Sequence, residues 1–266
     1  MCIHPHPVLT ASLIHHISSN SLALDVIMMQ HSKLNLLQML FFIIPENHSK
    51  LPNIVLIVAD DLGWADVGWN NPLMLDVTPR ISKLAKSGVI LSQYYVQQVC
   101  TPSRAALMTG MYPFHIGRQK QTIKPLMPTG LTLNKTLLPE QLAKLGYKNH
   151  MVGKWHLGFC RWEYTPTLRG FHSFFGFYTG ASGHFDHTRG QGYDFRRNTR
   201  PLFSVKGAYS TDIFTDKATN IIKNIFIKGN LSYQAPHAPL EVPNEVFKDN
   251  QDNWKHCKRC VQSNGL

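Results

Sequence analysis

The stretch NIVLIVADD at residues 53–61 decides the fold. Residues 54–59 are all aliphatic and lack the alternation of apolar and polar side chains that marks a half-buried strand. This pattern is typical of a strand buried on both faces, as in a parallel sheet. Asp60 and Asp61 follow directly, and ligands of parallel α/β folds gather at the carboxyl ends of strands. We therefore expect a buried strand that ends in two functional carboxylates.

Helical and strand-like segments alternate along the rest of the chain. Apolar spacing with Pro or Gly at segment ends predicts helices at 79–87, 102–109, 137–145 and 211–224. Short apolar runs predict strands at 89–96 and 148–152. This order predicts an α/β layered fold with a mostly parallel central sheet flanked by helices.

Composition and charge limit the class of protein. With 43% hydrophobic and 16% charged residues among 266, the chain is typical of a globular protein and not of a disordered one. Its net charge of +11 favours acidic partners, such as nucleic acid, anionic lipid or sulfated molecules, although a solvated basic surface is the alternative. The chain has no long Lys/Arg block and no zinc-finger or RNA-binding signature, so we expect no nucleic-acid partner.

One of the five cysteines stands in an unusual context. An odd count without regular spacing does not predict a disulfide framework, and Cys257 and Cys260 have the spacing of only half a zinc site. Cys100, in contrast, directly precedes a helix predicted to begin at Pro102, and a helix start favours an anion or a thiolate. Arg104, one turn further, can bind a charged group in bidentate fashion. The motif CTPSR thus indicates a reactive cysteine at an anion site, or alternatively a structural cysteine.

Four other residues are candidates for the same site. Asp60 and Asp61 repel each other unless a cation neutralises them, and their hard oxygens suit calcium or magnesium; a solvated turn is the alternative. Lys154 and His156 flank Trp155 in a segment predicted as extended, which directs both side chains one way and Trp155 into the core. A fixed cation beside a titratable imidazole suits an oxyanion and a leaving group, although an exposed loop is the alternative.

Two loops contain further histidines. His237 lies in QAPHAPL at 234–240, where the flanking prolines restrict the backbone and suit a ligand contact. Histidine is also common in ordinary turns. His184, Asp186 and His187 fall in a loop that can line a substrate pocket, but we expect a surface loop there.

The first fifty residues are predicted as a leader. Residues 1–27 are rich in His and Ser without a clear period, whereas residues 34–44 are almost wholly apolar between polar runs. This pattern resembles a signal peptide that begins at Met28 or Met29. The apolar run is too short for a stable membrane span. A buried segment is the alternative.

Three N-glycosylation sequons fit a chain that enters the secretory pathway; they begin at Asn47, Asn134 and Asn230. Such triplets also arise by chance. We expect a lysosomal or extracellular location.

Several motifs occur in a fixed order: LIVADDLGW at 56–64, CTPSR at 100–104, LMTG at 107–110 and GKWHLG at 153–158. Together they resemble the type I sulfatases. Three shorter elements are most similar to the arylsulfatase B, I and J branch: YY at 94–95, RGF at 169–171 and APH at 235–237. The resemblance covers residues 52–247.

The resemblance implies an alkaline-phosphatase-like fold and a sulfuric ester hydrolase, similar to arylsulfatases or N-acetylgalactosamine-4-sulfatase, that acts on aryl sulfates or sulfated glycans. It implies that a formylglycine-generating enzyme oxidises Cys100 and recognises Pro102 and Arg104. The hydrated formylglycine attacks sulfur and releases the alcohol, and loss of the second hydroxyl proton then expels sulfate.

The same resemblance assigns roles to individual residues. The implied catalytic residues are Cys100, Arg104, Lys154 and His156, the sulfate-binding residues Lys154 and His237, and the calcium ligands Asp60, Asp61 and Cys100. Arg104 would steady the modified residue, and His156 would assist in expelling sulfate.

The chain departs from the family pattern after His237, where no Asp-Asn-Gly element follows. We therefore expect a C-terminally truncated fold: a leader at 1–50, the N-terminal part of a catalytic domain at 51–247, and a divergent tail at 248–266. Two alternative functions remain open. One is an inactive fragment that binds sulfated glycans through its positive charge. The other is a phosphoesterase of the same superfamily, against which Cys100 argues because those enzymes mostly use Thr or Ser.

Overall fold

The structure is a computed structural model that describes residues 12–18, 21–28, 51–224, 229–237, 241 and 243, with side chains described for 51–223, 237, 241 and 243. Four predictions fall outside these ranges: the apolar segment of the leader, the sequon that begins at Asn47, the tail at 248–266, and the Cys257 and Cys260 pair.

The strands of the described residues form one large sheet and one small ribbon. They are β1 (Ser12–Ser18), β2 (Ser21–Met28), β3 (Asn53–Asp60), β4 (Val89–Ile90), β5 (His150–Lys154), β6 (Ser173–Phe177), β7 (Thr188–Arg189), β8 (Gly192–Tyr193), β9 (Arg196–Arg197), β10 (Arg200–Pro201) and β11 (Gly229–Pro236). The large sheet has the order β10-β9-β6-β5-β11-β3-β1-β2-β4, and β7 pairs with β8.

The centre of the sheet is parallel and most of its periphery is antiparallel. The pairs β6–β5, β5–β11 and β11–β3 are parallel. β1 runs antiparallel to β3 and β2, and β9 runs antiparallel to β6 and β10. This arrangement confirms the predicted α/β class with a parallel core.

β3 forms where the sequence predicted a buried strand. It lies between β11 and β1, and its side chains Val55, Leu56 and Val58 are buried. Because the run is aliphatic on both faces, it stabilises an interior position in the sheet. The strand ends at Asp60, which is paired in register with Pro236 of β11.

Four α-helices lie in the described part of the chain: α1 (Pro79–Ser87), α2 (Cys100–Thr109), α3 (Leu138–Lys144) and α4 (Ser210–Asn224). Short 3₁₀ helices occupy Trp64–Asp66, Pro72–Met74, Pro113–Ile116, Trp162–Tyr164, Pro166–Leu168 and Phe203–Val205. The four predicted helices are confirmed within a few residues. None of the helices described is both long enough and apolar enough to cross a lipid bilayer.

Helix ends follow the local sequence signals. α1 has Pro79 at its first position, where the missing N–H costs nothing. α2 ends at Gly110, which has a φ of 67° and caps the helix in the left-handed region. α2 starts at Cys100 and not at Pro102, because the first turn of a helix tolerates proline and extends back past it.

Two strand predictions need correction, and two strands form where the sequence predicted none. The run at 89–96 forms only the two-residue β4, because the chain leaves the sheet after Ile90. The strand predicted at 148–152 is shifted to β5 (His150–Lys154). β1 (Ser12–Ser18) and β2 (Ser21–Met28) form in a part of the chain whose sequence pattern predicts no strand.

Two hydrophobic clusters cover opposite sides of β5. The α2 cluster contains Ala105 and Met108 of the helix with Met151 and Trp155. The α4 cluster contains Phe214, Ala218 and Ile221 of the helix with Val152, Phe177 and Phe195. Met151 and Val152 are adjacent and point to opposite faces, so β5 is packed on both faces. This packing fixes the position of Lys154, the last residue of the strand.

Candidate active site

The predicted site residues converge at the carboxyl ends of the parallel strands. Asp60 is the last residue of β3 and Lys154 the last of β5. His237 directly follows β11, which lies between these two strands, and Cys100 is the first residue of α2. Because parallel strands end at a common edge, residues that are distant in the sequence meet there.

Asp60 is the centre of a buried charge cluster formed with Lys154 and Arg104. Lys154 Nζ donates a hydrogen bond to Asp60 Oδ2, and Arg104 Nη2 lies 3.6 Å from the same oxygen. All three side chains are buried. Burial alone would raise the pKa of Asp60, but the charges of Arg104 and Lys154 outweigh it and lower the pKa to about 2. Asp60 is therefore an anion that two cations compensate.

Cys100 lies beside this cluster at the start of α2. Its Sγ accepts a hydrogen bond from Lys154 Nζ at 3.2 Å and lies 3.5 Å from Asp60 Oδ1. Burial would raise the pKa of the thiol, but hydrogen bonding with His237 and the charge of Lys154 lower it. The helix start favours a negative charge at the same point. His237, Lys154 and the helix start thus favour a negative charge at residue 100, and Asp60 opposes it.

Arg104 also fixes the end of β5. Its Nη1 donates a 2.6 Å hydrogen bond to the backbone oxygen of Lys154. One guanidinium therefore joins α2 to β5 and neutralises Asp60 at the same time. This geometry gives Arg104 a steadying position beside residue 100.

His156 is held as a neutral imidazole. Its Nε2 donates to the backbone oxygen of Ile123 at 3.0 Å, and its Nδ1 is buried without a hydrogen-bond partner among the described residues. Burial, together with the charges of Lys154 and Arg104, lowers the pKa of His156 to about 3. The predicted extended segment is wrong at His156, where φ is 58°, although Trp155 enters the core as expected.

Two residues that shape the His156 position were not among the predicted site residues. Thr101 Oγ1 donates to the backbone oxygen of His156 at 3.2 Å and accepts from the Ile123 N–H at 3.0 Å. A Cβ at Gly180 would lie 2.5 Å from His156 Cε1, so only glycine leaves room for the ring. Thr101 lies inside the CTPSR motif and could have been found there, whereas no sequence signal marks Gly180.

Asp61 and His237 form the solvent-facing side of the site. His237 Nε2 lies 3.8 Å from Asp61 Oδ2, and the Asp61 side chain is 41% exposed. Burial raises the pKa of Asp61 and the charge of Asp60 adds to this, while His237 opposes it. Burial would lower the pKa of His237, but hydrogen bonding with Cys100 raises it. One possible metal-ligand atom from each of Asp60, Cys100 and His237 lies within 4.8 Å of the other two.

The loop with His184, Asp186 and His187 is only in part the expected surface loop, because Asp186 is exposed whereas the two histidines are buried. Both histidines are only 1% exposed, because Ser210 Oγ lies 3.0 Å from His184 Nδ1 and the Val205 backbone oxygen accepts from His187 Nε2 at 3.0 Å. His184 Nε2 also lies 3.5 Å from the His237 backbone oxygen. The loop thus packs against the backbone of His237, on the site's inner side.

Comparisons with known proteins show which family the chain resembles. A protein-family model described as Sulfatase matches residues 52–259. Arylsulfatase J of Mus musculus is 40% identical over 209 residues, covering 74% of this chain and 34% of the relative. Arylsulfatase A of Homo sapiens is 43% identical over 128 residues, covering 47% of this chain and 25% of the relative. The chain thus spans about a third or less of these relatives.

Solved structures show the same fold. The crystal structure of Ps i-CgsB in complex with k-i-k-neocarrahexaose has a TM-score of 0.68 and 32% sequence identity, over 75% of this chain and 48% of that one. The PsFucS1 sulfatase from Pseudoalteromonas sp. has a TM-score of 0.53 and 22% identity, over 73% of this chain and 46% of that one. With a match over residues 52–259, the chain belongs to the sulfatase family.

Proposed function

We propose that the protein hydrolyses sulfuric esters and that a formylglycine made from Cys100 provides the nucleophile. The observation that carries this proposal is the position of Cys100 Sγ, 3.2 Å from Lys154 Nζ at the start of α2. Membership of the sulfatase family and the similarity to arylsulfatases support the same reaction. A hydrated formylglycine would supply an oxygen nucleophile that a thiol lacks.

The burial of the CTPSR motif indicates that Cys100 is modified before the chain folds. Pro102 and Arg104, the residues expected to be recognised by a formylglycine-generating enzyme, are both buried in α2. An enzyme that contacts them must therefore act before α2 packs onto the sheet. This supports modification of the nascent chain during entry into the secretory pathway.

Asp60 and Asp61 offer the kind of ligand atom that calcium prefers. Asp60 and Asp61 provide hard carboxylate oxygens, and the raised pKa of Asp61 reflects a burial and repulsion cost that a cation would relieve. Calcium takes about six to eight oxygen ligands, so an oxygen of the modified residue 100 and further donors would have to complete the set. A bound calcium ion would stabilise negative charge that develops on the sulfate group.

The chain's own basic residues have separable roles in this reaction. Lys154 neutralises Asp60 in this structure, and once a cation takes that role its ammonium becomes available to the sulfate oxygens. His237 faces the same space beside Cys100 and Asp61, and would hold a second sulfate oxygen. Arg104 stays bound to the Lys154 carbonyl and steadies residue 100.

The neutral ring of His156 can accept a proton only at Nδ1, and its lowered pKa makes it a weak base unless the negative charge of a bound sulfate raises that pKa. Its Nε2 proton is committed to the Ile123 carbonyl, and its pKa of about 3 keeps the ring neutral. The Nδ1 lone pair is then the available base. We propose that it accepts the hydroxyl proton of residue 100 when sulfate leaves.

For the substrate we propose a sulfated glycan or an aryl sulfate, and for the location a lysosomal or extracellular one. The glycan class is supported by Ps i-CgsB, which was solved in complex with k-i-k-neocarrahexaose. The basic charge of +11 favours such an anionic ligand.

Hydrolysis of a fluorogenic aryl sulfate by the secreted chain, with calcium present, tests the proposal. Cys100→Ala should abolish turnover, while the matched control Cys160→Ala, which removes an exposed cysteine outside the site, should retain it. A chelator should lower the rate, and a phosphate ester of the same aryl group should be cleaved more slowly. Turnover by Cys100→Ala would contradict the mechanism. No turnover by a chain in which residue 100 is converted, together with saturable heparin binding, would favour the glycan-binding alternative.

A further inference from the structure

We propose that Asn134 carries an N-linked oligosaccharide and that Asn230 does not. Both asparagines begin an Asn-X-Ser/Thr sequon, but the structure places them in opposite environments. This inference rests on the proposed entry into the secretory pathway and is independent of the proposed hydrolysis.

The sequon at Asn134 lies in an exposed turn ahead of α3. The side chains of Asn134 and Thr136 are both accessible to solvent. Asn134 Oδ1 accepts a 2.7 Å hydrogen bond from Thr132 Oγ1, which leaves the amide nitrogen Nδ2 for a sugar. An N-glycan is bulky and has to project into solvent, and this turn allows it to do so.

The backbone of this turn is fixed from below by Arg169. The buried guanidinium donates to the backbone oxygens of Thr132 at 3.4 Å and Lys135 at 2.8 Å, and pairs with Glu140 at 3.1 Å. The contacts with the turn use only its backbone atoms. A glycan on Asn134 Nδ2 would therefore leave the support of the turn intact.

Asn230 lies within the centre of the sheet. Its position in β11 is paired with Leu56 of β3 on one side and with Met151 of β5 on the other. A glycan there would have to emerge from an interior strand of a nine-stranded sheet. Because this position is paired on both sides, we expect that a chain with a bulky glycan at Asn230 could not complete the sheet.

The modification is a group transfer from a lipid-linked oligosaccharide pyrophosphate. The bond between the anomeric carbon and the pyrophosphate oxygen breaks, and a bond from that carbon to Asn134 Nδ2 forms. Nδ2 loses one proton, and the lipid pyrophosphate leaves with the bonding electrons. The expected product is a neutral amide-linked glycan beside the exposed Leu133, whose apolar surface it would cover.

The test uses the full chain behind a heterologous cleavable signal peptide, with Ser49→Ala present throughout to remove the sequon at Asn47. Thr136→Ala and Ser232→Ala each remove one remaining sequon and keep its asparagine. Gel mobility and intact mass are measured before and after peptide-N-glycosidase, and enzyme digestion in heavy-oxygen water marks the released site. Asn134→Gln provides a second variant of the exposed sequon.

We expect one glycan in the parent chain, its loss in Thr136→Ala and Asn134→Gln, and its retention in Ser232→Ala. A glycan that persists in Thr136→Ala, a glycan lost in Ser232→Ala, or an unglycosylated chain whose signal peptide has been removed would overturn the proposal. Cys100→Ala should keep the glycan. The glycosylation result therefore does not depend on whether the protein hydrolyses sulfuric esters.

Discussion

The carboxyl-end edge of the sheet and the face beneath α4 are built from opposite kinds of side chain. At the edge, the buried ions Asp60, Lys154 and Arg104 compensate one another. On the face, Phe214 stacks on Phe195 with ring centroids 5.6 Å apart. Apolar burial stabilises a fold directly, whereas a buried ion cluster gains little because desolvation offsets its attraction. The aromatic face therefore stabilises the sheet, whereas the charged cluster contributes little net stability and is where we propose that the chemistry takes place.

The largest expected effect comes from breaking the aromatic face. Phe214→Ala removes a fully buried ring that also contacts Phe175 and Phe177, and should lower the free energy of unfolding by about 3–5 kcal/mol. Ile222→Ala, at a 40% exposed position on the same helix, is the matched control and should cost far less. Urea unfolding measures both. Equal losses would show that α4 does not pack as described.

A second prediction separates the two adjacent carboxylates. Asp60→Asn leaves Lys154 and Arg104 buried without their anion and should destabilise the chain by about 3–5 kcal/mol. Asp61→Asn, at a 41% exposed side chain, should cost less than about 1 kcal/mol. Unfolding in the presence of a chelator isolates these protein contacts from any metal effect. Similar losses in both variants would refute the asymmetry.

A third prediction concerns the space around His156. The methyl group of Gly180→Ala would overlap the imidazole, which must move and weaken its bond to the Ile123 carbonyl, at a cost of about 1–3 kcal/mol. We also expect slower aryl sulfate hydrolysis through kcat. Gly192→Ala is the control, because its Cβ would meet only Arg189 O at 3.7 Å. Unchanged unfolding and kcat in Gly180→Ala would mean that the ring is not confined there.

The smallest expected effect is a pH dependence of stability that arises from His187, one of the two buried histidines in the loop beside the site. Burial lowers the pKa of His187 from its ordinary value of 6.5. The unfolded chain then binds more protons, so this stability is complete above that pH and is lost as the pH falls below it. The loss should reach at most about 1.4 kcal/mol per pH unit. Urea unfolding at several pH values measures it. His187→Gln, which can still donate to the Val205 carbonyl, should make the profile less steep, while His150, His156 and His184, whose pKa values burial also lowers, keep the rest of the slope. An unchanged slope would contradict this assignment.

Local sequence signals are sufficient for individual elements of the site. The aliphatic run predicts β3 and the position of Asp60 at its end, because burial on both faces demands an unbroken apolar pattern. The Pro and Gly positions predict α1 and α2 within two residues, because these residues restrict the backbone locally. The same signals put Cys100 at a helix start, where the structure confirms it.

Local sequence patterns do not determine which strands and helices contact one another. Lys154 binds Asp60 across 94 residues of chain, and β11 inserts between β3 and β5 although it follows both in sequence. Strand order depends on pairing free energies between distant segments, which no local pattern records. The burial of His187 and the fit of Gly180 against His156 likewise depend on side chains supplied by other loops. The sequence by itself thus determined which residues are candidates for the chemistry, and where β3, β5 and the four helices lie to within about two residues. Only the tertiary structure decided which of them meet, because their proximity arises from non-local packing.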